Sequence, residues 1–290
     1  MAVVEAVISA YGLQALNGLV YGSVLFLVAV GLSVGIGVLR IANLAHGSLY
    51  LLGGYLAVSV ARATGSWGAG AMCGILASTA GGFAIFELLR RPWARTLLAQ
   101  VLLTVGVLFV AMDLFRFVWG GIPTLVAAPR WAQGAVTLGG AVVPAYRLVL
   151  VGLGGAIAGI LWWVVERTHW GALVRAAVDD EEMARGLGID VVRIKRWVFG
   201  IASGLAGLGG VVGGIITGVG PGMDVEMLVA ALVVVVVGGV GSVAGTYLGA
   251  LLVGVLETVL TGNWPEISTF SLFAVMVAAL MLRPGGLVER

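Results

Sequence analysis

Long apolar windows separated by short polar stretches run the length of the chain. They fall at Gly12 to Leu39, Ile41 to Val60, Trp67 to Leu89, Leu97 to Trp119, Leu148 to Val165, Trp197 to Thr217 and Ile267 to Leu282. A hydrocarbon layer about 30 Å thick takes about 20 apolar residues in an α-helix, and only a helix or a closed barrel satisfies every backbone group inside lipid. Barrel-type alternation is absent, so these windows predict helical spans. Met227 to Leu260 is less regular. Its halves, Met227 to Val237 and Ala244 to Leu260, flank glycines at 238, 239 and 241, and each half is short for a full crossing. They predict either two tight spans or a broken, partly re-entrant pair. The fold class is therefore an all-α, polytopic transmembrane helical bundle of about eight or nine passes, broken helices included, forming a single domain over residues 1–290.

Composition sharpens this. Hydrophobic residues make up 60% of the chain and charged ones 10%, with 47 glycines and a mean hydropathy of +1.11, which excludes a soluble core under a polar shell. The start of the chain, with Glu5 and no early Lys or Arg, lacks the basic opening of a cleavable signal peptide, so Met1 onward is expected to be mature. A lone Cys73 rules out an intrachain disulfide and a thiolate metal site.

The few charges set orientation, because Arg and Lys in short loops favour the cytoplasm. Arg90, Arg91 and Arg95 mark one inside loop, and Arg167, Arg175, Arg185, Arg193, Lys195 and Arg196 mark a second. Arg283 and Arg290 place the C-terminus inside as well. Gly120 to Tyr146, Gly218 to Glu226 and Thr261 to Glu266 carry one basic residue between them, Arg130, and belong outside. Glycines four residues apart recur at 31 and 35, 155 and 159, 200 and 204, 209 and 213, 210 and 214, and 245 and 249. Small residues at that spacing let helix backbones approach closely in lipid, and this packing role accounts for most of them.

Candidate chemistry is confined to three places. Asn43, His46, Gly47 and Ser48 put an amide, an imidazole and a hydroxyl into an apolar setting where polar groups are costly; they are either an interface turn capped by Asn43 or part of a solute pathway. Gly238-Gly-Val-Gly-Ser-Val-Ala-Gly-Thr-Tyr-Leu248 echoes the run from Gly47 to Leu56, and Gly239, Gly241 and Ser242 are the matching pathway candidates. Paired Gly-interrupted segments suggest discontinuous helices whose free N–H ends face a polar solute.

The third place is the inside loop, about residues 166–196, which holds six of the sixteen basic and six of the fourteen acidic residues. Asp179 and Asp180 are predicted to cap a short helix with Glu181 and Glu182 in its first turn, ended by Gly186 or Gly188. Its charge keeps it out of the bilayer, and its acidic face suits a cytoplasmic protein better than anionic lipid.

Absences narrow the function. With Lys195 the only lysine and Arg196 after it, no Gly-Lys-Ser/Thr phosphate loop exists, so any driving ATPase lies on another chain. His46 and His169 are too scattered for a metal. Pairing Ser203 with His46 as an intramembrane protease lacks a Gly-flanked nucleophile turn. Asp113 and Glu257 are the acids a proton- or sodium-coupled carrier would use, although both fall near span ends.

Taken together, these motifs resemble the permease subunits of the branched-chain amino acid ABC importers, the LivH type, nearly end to end. Gly18 to Ser23 and Leu32 to Arg40 look like the family's first span. Asn43-Leu-Ala-His-Gly47 matches its Asn-x-Ala-His-Gly signature, with Leu44 where Phe or Met is commoner. Ala184-Arg-Gly-Leu-Gly-Ile-Asp190 looks like its ATPase-contacting loop, and Val237 to Gly245 and Arg283-Pro-Gly-Gly-Leu287 complete the set.

The resemblance implies a non-enzymatic transport subunit in a prokaryotic inner membrane, forming half of a pathway for branched-chain or other hydrophobic amino acids. Its implied partners are a homologous second permease, two ATPases that bring ATP and Mg, an extracytoplasmic solute-binding protein and membrane lipid, with no nucleic acid. Asp179, Asp180, Glu181, Glu182, Ala184, Arg185 and Gly188 become the ATPase-coupling loop. Carriage of urea, amides or another small neutral solute is the variant within the family; a stand-alone channel or secondary carrier is the rival class.

Overall fold

The computed structural model describes residues 2–94, 96–138, 141–283 and 285–288. Arg95, Pro284 and Arg290, used above for orientation and motif, lie outside the described residues. Among the described residues eleven α-helices follow one another, interrupted by one small hairpin. They are α1 (Ala2–Gly37), α2 (His46–Thr64), α3 (Trp67–Leu89), α4 (Leu97–Trp119), β1 (Ala135–Leu138), β2 (Ala141–Pro144), α5 (Ala145–Arg167), α6 (His169–Asp179), α7 (Glu181–Gly186), α8 (Val191–Gly213), α9 (Met223–Gly238), α10 (Val243–Asn263) and α11 (Ser268–Leu282).

Among the described residues, six helices are long and apolar enough to cross a membrane: α1 from Tyr11, α3, α4, α5, α8 and α10. The apolar part of α11, Phe270–Leu282, is shorter. The region Ala244 to Leu260 lies within α10, whose 21 residues make it a full span because Ser242 caps it early and it runs on to Asn263. Likewise α8 begins at Val191, six residues before the apolar window, because Asp190 caps it by accepting from Arg193 N–H.

The bundle is concentric. In α1 and α8, 78% and 72% of the spanning window is buried, against 11% in α4 and 17% in α5, so the first pair forms the centre and the second the periphery. Against that centre lie α2 and α9, which are shorter and buried along much of their length. The contacts that hold the centre are backbone to backbone. A Cβ on Gly53 would collide with Gly207 of α8, and one on Gly74 of α3 with the Gly53 carbonyl. A Cβ on Gly210 would collide with the Tyr50 carbonyl of α2, while Gly18 and Gly22 of α1 meet Gly254, Ala250 and Val255 of α10. Ser78 Oγ of α3 donates to the Leu49 carbonyl at 2.8 Å, adding a polar tie inside the packed core.

Of the four-spaced glycine pairs, 200/204, 209/213, 210/214 and 245/249 all sit against a neighbouring element, whereas Gly159 faces open space. The Gly- and Pro-rich loop after α4 is more ordered than its composition suggests. It carries the β1–β2 hairpin and an isolated bridge from Thr124 to Val219, whose N–H and C=O groups exchange bonds of 2.8 Å.

These approaches make a sharp expectation. Gly210→Leu should push α2 from α8 at a site with no slack, costing about 3 kcal/mol or more, read as a clear fall in unfolding temperature in detergent. Gly106→Ala, at a position with nothing within 4 Å of an added Cβ, should leave that temperature unchanged.

Candidate functional site

The chain leaves α1 at Gly37 and does not turn straight into the next helix. Arg40 adopts the left-handed conformation (φ 56°), and residues 38–45 run back into the bundle as irregular backbone before α2 begins at His46. Irregular backbone inside a membrane bundle must find hydrogen bonds within the protein. Ile41 N–H reaches the Gly35 carbonyl at 2.9 Å, and Thr104 Oγ of α4 lies 3.4 Å from the Ala42 carbonyl. Asn43 Oδ1 accepts from Ala45 N–H at 3.1 Å, and the Asn43 carbonyl accepts from His46 N–H.

His46 Nε2 lies 3.0 Å from the Val28 carbonyl of α1, and its ring fills the space a side chain on Gly31 would need. Both residues are buried, Asn43 at 3% and His46 at 2% exposure. They line a small pocket with Gly31, Gly35, Phe199, Ala202 and Ser203, level with the middle of α8. Ser203 Oγ donates to the Phe199 carbonyl at 2.8 Å, so its hydroxyl and the imidazole each bond to backbone rather than to each other.

A second break faces the first from the other end. After α8, residues 214–222 fold back inward, held by the Thr124–Val219 bridge and by Val126 N–H on the Gly214 carbonyl, and α9 starts inside the bundle at Met223. Its first turn presses on α2: a Cβ on Gly47 would collide with the Asp224 carbonyl. The N-termini of two half-buried helices thus meet side by side. Asp224 is fully buried there, and neither oxygen of its carboxylate has a hydrogen-bond partner among the described residues. Ser48 Oγ and Tyr55 Oη are buried nearby on α2 with no hydrogen-bond partner among the described residues. The sequence reading missed Asp224; the left-handed Gly222 (φ 93°) followed two residues later by an acid was the available signal.

The glycine cluster at 238–242 occupies a different place. It is the turn from α9 to α10 at the arginine-rich end, with Gly239 and Gly241 left-handed at φ 100° and 81°. Gly241 packs on Gly37 and its N–H donates to Ser33 Oγ at 3.0 Å, the same oxygen that Thr246 Oγ approaches at 3.0 Å. Gly239 abuts the C-terminal segment, where Leu287 N–H reaches the Val237 carbonyl. Ser242 caps α10 by accepting from Gly245 N–H at 3.0 Å.

Thus the two sets of polar candidates are not brought to one point. Asn43 and His46 share the small pocket, while Gly241 lines a separate cleft of about 490 Å³ between α1, α5, α6 and α8. Gly31 and Ala202 border both. The helix break paired with residues 38–45 is at 214–222, because a left-handed glycine and an acidic first turn start α9 there.

At the arginine-rich end the charged loop forms two helices. Thr168 caps α6, Asp179 ends it, and Asp180 alone caps α7 by accepting from Met183 N–H at 2.8 Å. The predicted double cap is corrected accordingly: Asp179 closes one helix and Asp180 opens the next. Gly186 is the last residue of α7, and Gly188 (φ 81°) makes the turn that follows. Ala184 is buried with Ala177 and Val191, tying α6, α7 and the start of α8 together.

Glu181 accepts from Lys195 of α8 and from Arg185, each at 2.6 Å, and Glu182 stays exposed. The Lys195 ammonium, hydrogen-bonded to it, holds the Glu181 carboxyl below its ordinary range. Next along α8, Arg196 reaches Glu87 of α3 at 2.6 Å, and Arg90 bonds the same carboxylate at 2.8 Å. Consecutive basic residues of α8 thereby clasp acids on two different elements. Of the two carrier-type acids, Asp113 is exposed on α4 and Glu257 partly buried on α10.

A many-helix membrane bundle with two broken helices and a charged two-helix projection is the class that this geometry defines. The family described as "Branched-chain amino acid transport system / permease component" matches residues 14–280, and the chain belongs to that family. BraD of Pseudomonas aeruginosa, named a high-affinity branched-chain amino acid transport system permease protein, is 26% identical over 96% of this chain and 95% of its own length. LivH of Salmonella typhimurium and of Escherichia coli K12, named likewise, are 26% and 25% identical over 69% of this chain and 69% of theirs. A chain of the solved structure of PsaBC from Streptococcus pneumoniae in complex with Fab shares the fold, with a TM-score of 0.50 at 13% identity, covering 92% of this chain and 89% of its own.

The α7–α8 clasp has a defined pH window. A carboxylate held below its ordinary range stabilises at any pH above that range and loses its contribution as pH falls through the depressed value. The clasp should therefore be intact at pH 7 and at pH 5, and loosen only below about pH 4.3. Glu181→Gln should reproduce the loosened state at pH 7. The measure is amide hydrogen exchange, expected to rise about threefold in residues 181–186, as for a half-exposed, solvent-screened ion pair of about 0.7 kcal/mol, with exchange in α1 unchanged.

Proposed function

We propose that this chain is the permease subunit of an ATP-binding cassette importer and forms half of the translocation pathway for branched-chain or other hydrophobic amino acids. The observation that carries the proposal is α6–α7, a capped, charged element at the arginine-rich end, bound to the central helix α8 through Lys195. It belongs to a family whose relatives BraD and LivH are named for that transport.

In this reading the arginine-rich end and the C-terminus are cytoplasmic, in the inner membrane of a prokaryote. Of two ATPase subunits that supply the ATP and Mg chemistry, one docks on Asp179, Asp180, Glu181, Glu182, Ala184, Arg185 and Gly188 of this chain, while this chain is a transport component only. A homologous second permease completes the pathway, and an extracytoplasmic binding protein delivers solute at the opposite end. Closure of the ATPase pair pushes α7, and Lys195 and Arg196 pass the push to α8 and α3, so the element acts as a lever on the centre of the bundle rather than on its rim. Asn43, His46, Gly47, Ser48, Gly239, Gly241 and Ser242 are the proposed pathway residues. Support comes from the buried polar pocket at Asn43 and His46 and from Gly241 on the neighbouring cleft.

Purification in mild detergent tests the assembly. The wild-type chain should retain an ATPase and a second permease, and the Glu181/Glu182/Arg185→Ala variant should lose the ATPase; a chain that purifies alone and moves solute in ATP-free liposomes would instead be a channel or carrier. For the pathway residues, His46→Gln and Asn43→Ser keep a hydrogen-bonding group at the bend. They should alter the KM for uptake at least severalfold with the unfolding temperature held within a few degrees, whereas uptake that falls only in step with stability would restrict both residues to shaping the bend.

A further inference from the structure

The cleft between α1, α5, α6 and α8 has a polarity that its volume alone does not convey. Val30 and Val34 of α1, Val164 and Val165 of α5, and Val198 and Leu205 of α8 make its walls apolar. Its charged lining is confined to one pole, Glu166 at the end of α5 and Arg175 and Asp179 on the last turns of α6. The signs are mixed there. Arg175 lies 3.9 Å from Glu166, and Asp179 follows one turn further along α6. Arg175 also donates to the Val165 carbonyl, which uses one of the five N–H donors of a guanidinium and fixes its position.

A pole of this kind discriminates by charge. A simple anion meets two carboxylates, and a simple cation meets a guanidinium. A molecule carrying both an ammonium and a carboxylate satisfies each sign at once, and a short branched hydrocarbon on the same molecule fills the valine-lined part. The volume, about 490 Å³, lies within the range of pockets that enclose small molecules. The deep end borders Gly31 and Ala202, which also bound the pocket of Asn43 and His46.

We infer that this cleft is a binding site for a zwitterionic, branched apolar α-amino acid, held by its head group at Glu166, Arg175 and Asp179 and by its side chain among the valines of α1, α5 and α8. The inference rests on the proposed function, since it makes the cleft the compartment next to the lever helices in which transported solute lodges. It places solute against α6 itself, so that movement of α6 opens or narrows the site directly.

The test uses the purified complex in liposomes, with a diazirine analogue of leucine as photoprobe and peptide mapping as readout. Labelling should fall in residues 30–38, 164–179 and 198–205. Excess leucine should displace it, and neither 3-methylbutylamine nor 4-methylpentanoate, each lacking one charge, should do so at the same concentration. Val198→Trp, which fills the cleft, should cut labelling about tenfold; if that variant does not fold, Arg175→Met should abolish the discrimination between leucine and 3-methylbutylamine. Displacement by dihexanoylphosphatidylethanolamine at lower concentration than leucine would overturn the inference in favour of a lipid head group. Normal ATP-driven leucine uptake without labelling of these segments would overturn the site and leave the importer standing. Absence of that uptake in the wild-type complex would overturn the importer reading and the inference built on it.

Discussion

Everything in this bundle depends on how closely α2 and α8 can approach. Their contact is made of main chain, Gly53 on Gly207 and Gly210 on the Tyr50 carbonyl, and in lipid there is no gain from burying apolar side chains against one another that could replace it. Close approach maximises dispersion contacts and lets α2, which is too broken to stand in lipid alone, be sheathed by protein on most sides. The irregular segments at either end of the broken pair are tolerable only inside that sheath. Residues 38–45 draw their hydrogen bonds from α1, from α4 and from Asn43, and residues 214–222 draw theirs from the end of α8 and from residues 124–126. Widening the α2–α8 seam would admit lipid to backbone that has no spare partner.

The same constraint explains why polar residues lie where they do. Asn43, His46, Ser33 and Ser203 each bond to main chain or cap a turn, so the bundle accommodates them by giving them backbone to serve. Asp224 differs, because its carboxylate is fully buried and has no hydrogen-bond partner among the described residues. Its position where two helix N-termini meet suits a negative charge, since both ends present unpaired N–H groups.

The sequence was most legible where one physical signal dominated. Uninterrupted apolar length gave α3 and α4 with their ends at Trp67, Leu89, Leu97 and Trp119, and the dense charge between 166 and 196 marked a projection outside the bundle. It was least legible where tertiary contact overrode local pattern. Nothing local says that α9 starts deep in the bundle, because that depends on Gly47 leaving room for the Asp224 carbonyl. Nor does local sequence separate α6 from α7, since Asp179 and Asp180 are equally good caps and packing of Ala177 on Ala184 decides between them. The glycines at 238 to 242 look like a helix break in one dimension, and in space they are a tight turn against Gly37 and the C-terminal segment.

Lys195 carries one more consequence. It is the only lysine in the chain, and its ammonium is occupied by Glu181. Amine-directed reagents acylate the neutral, unpaired amine, so the chain offers them a single side chain, reachable only while the two helices it joins are apart. The rate of that one modification is then a clock for how often α7 lets go of α8, built into the protein without adding a probe.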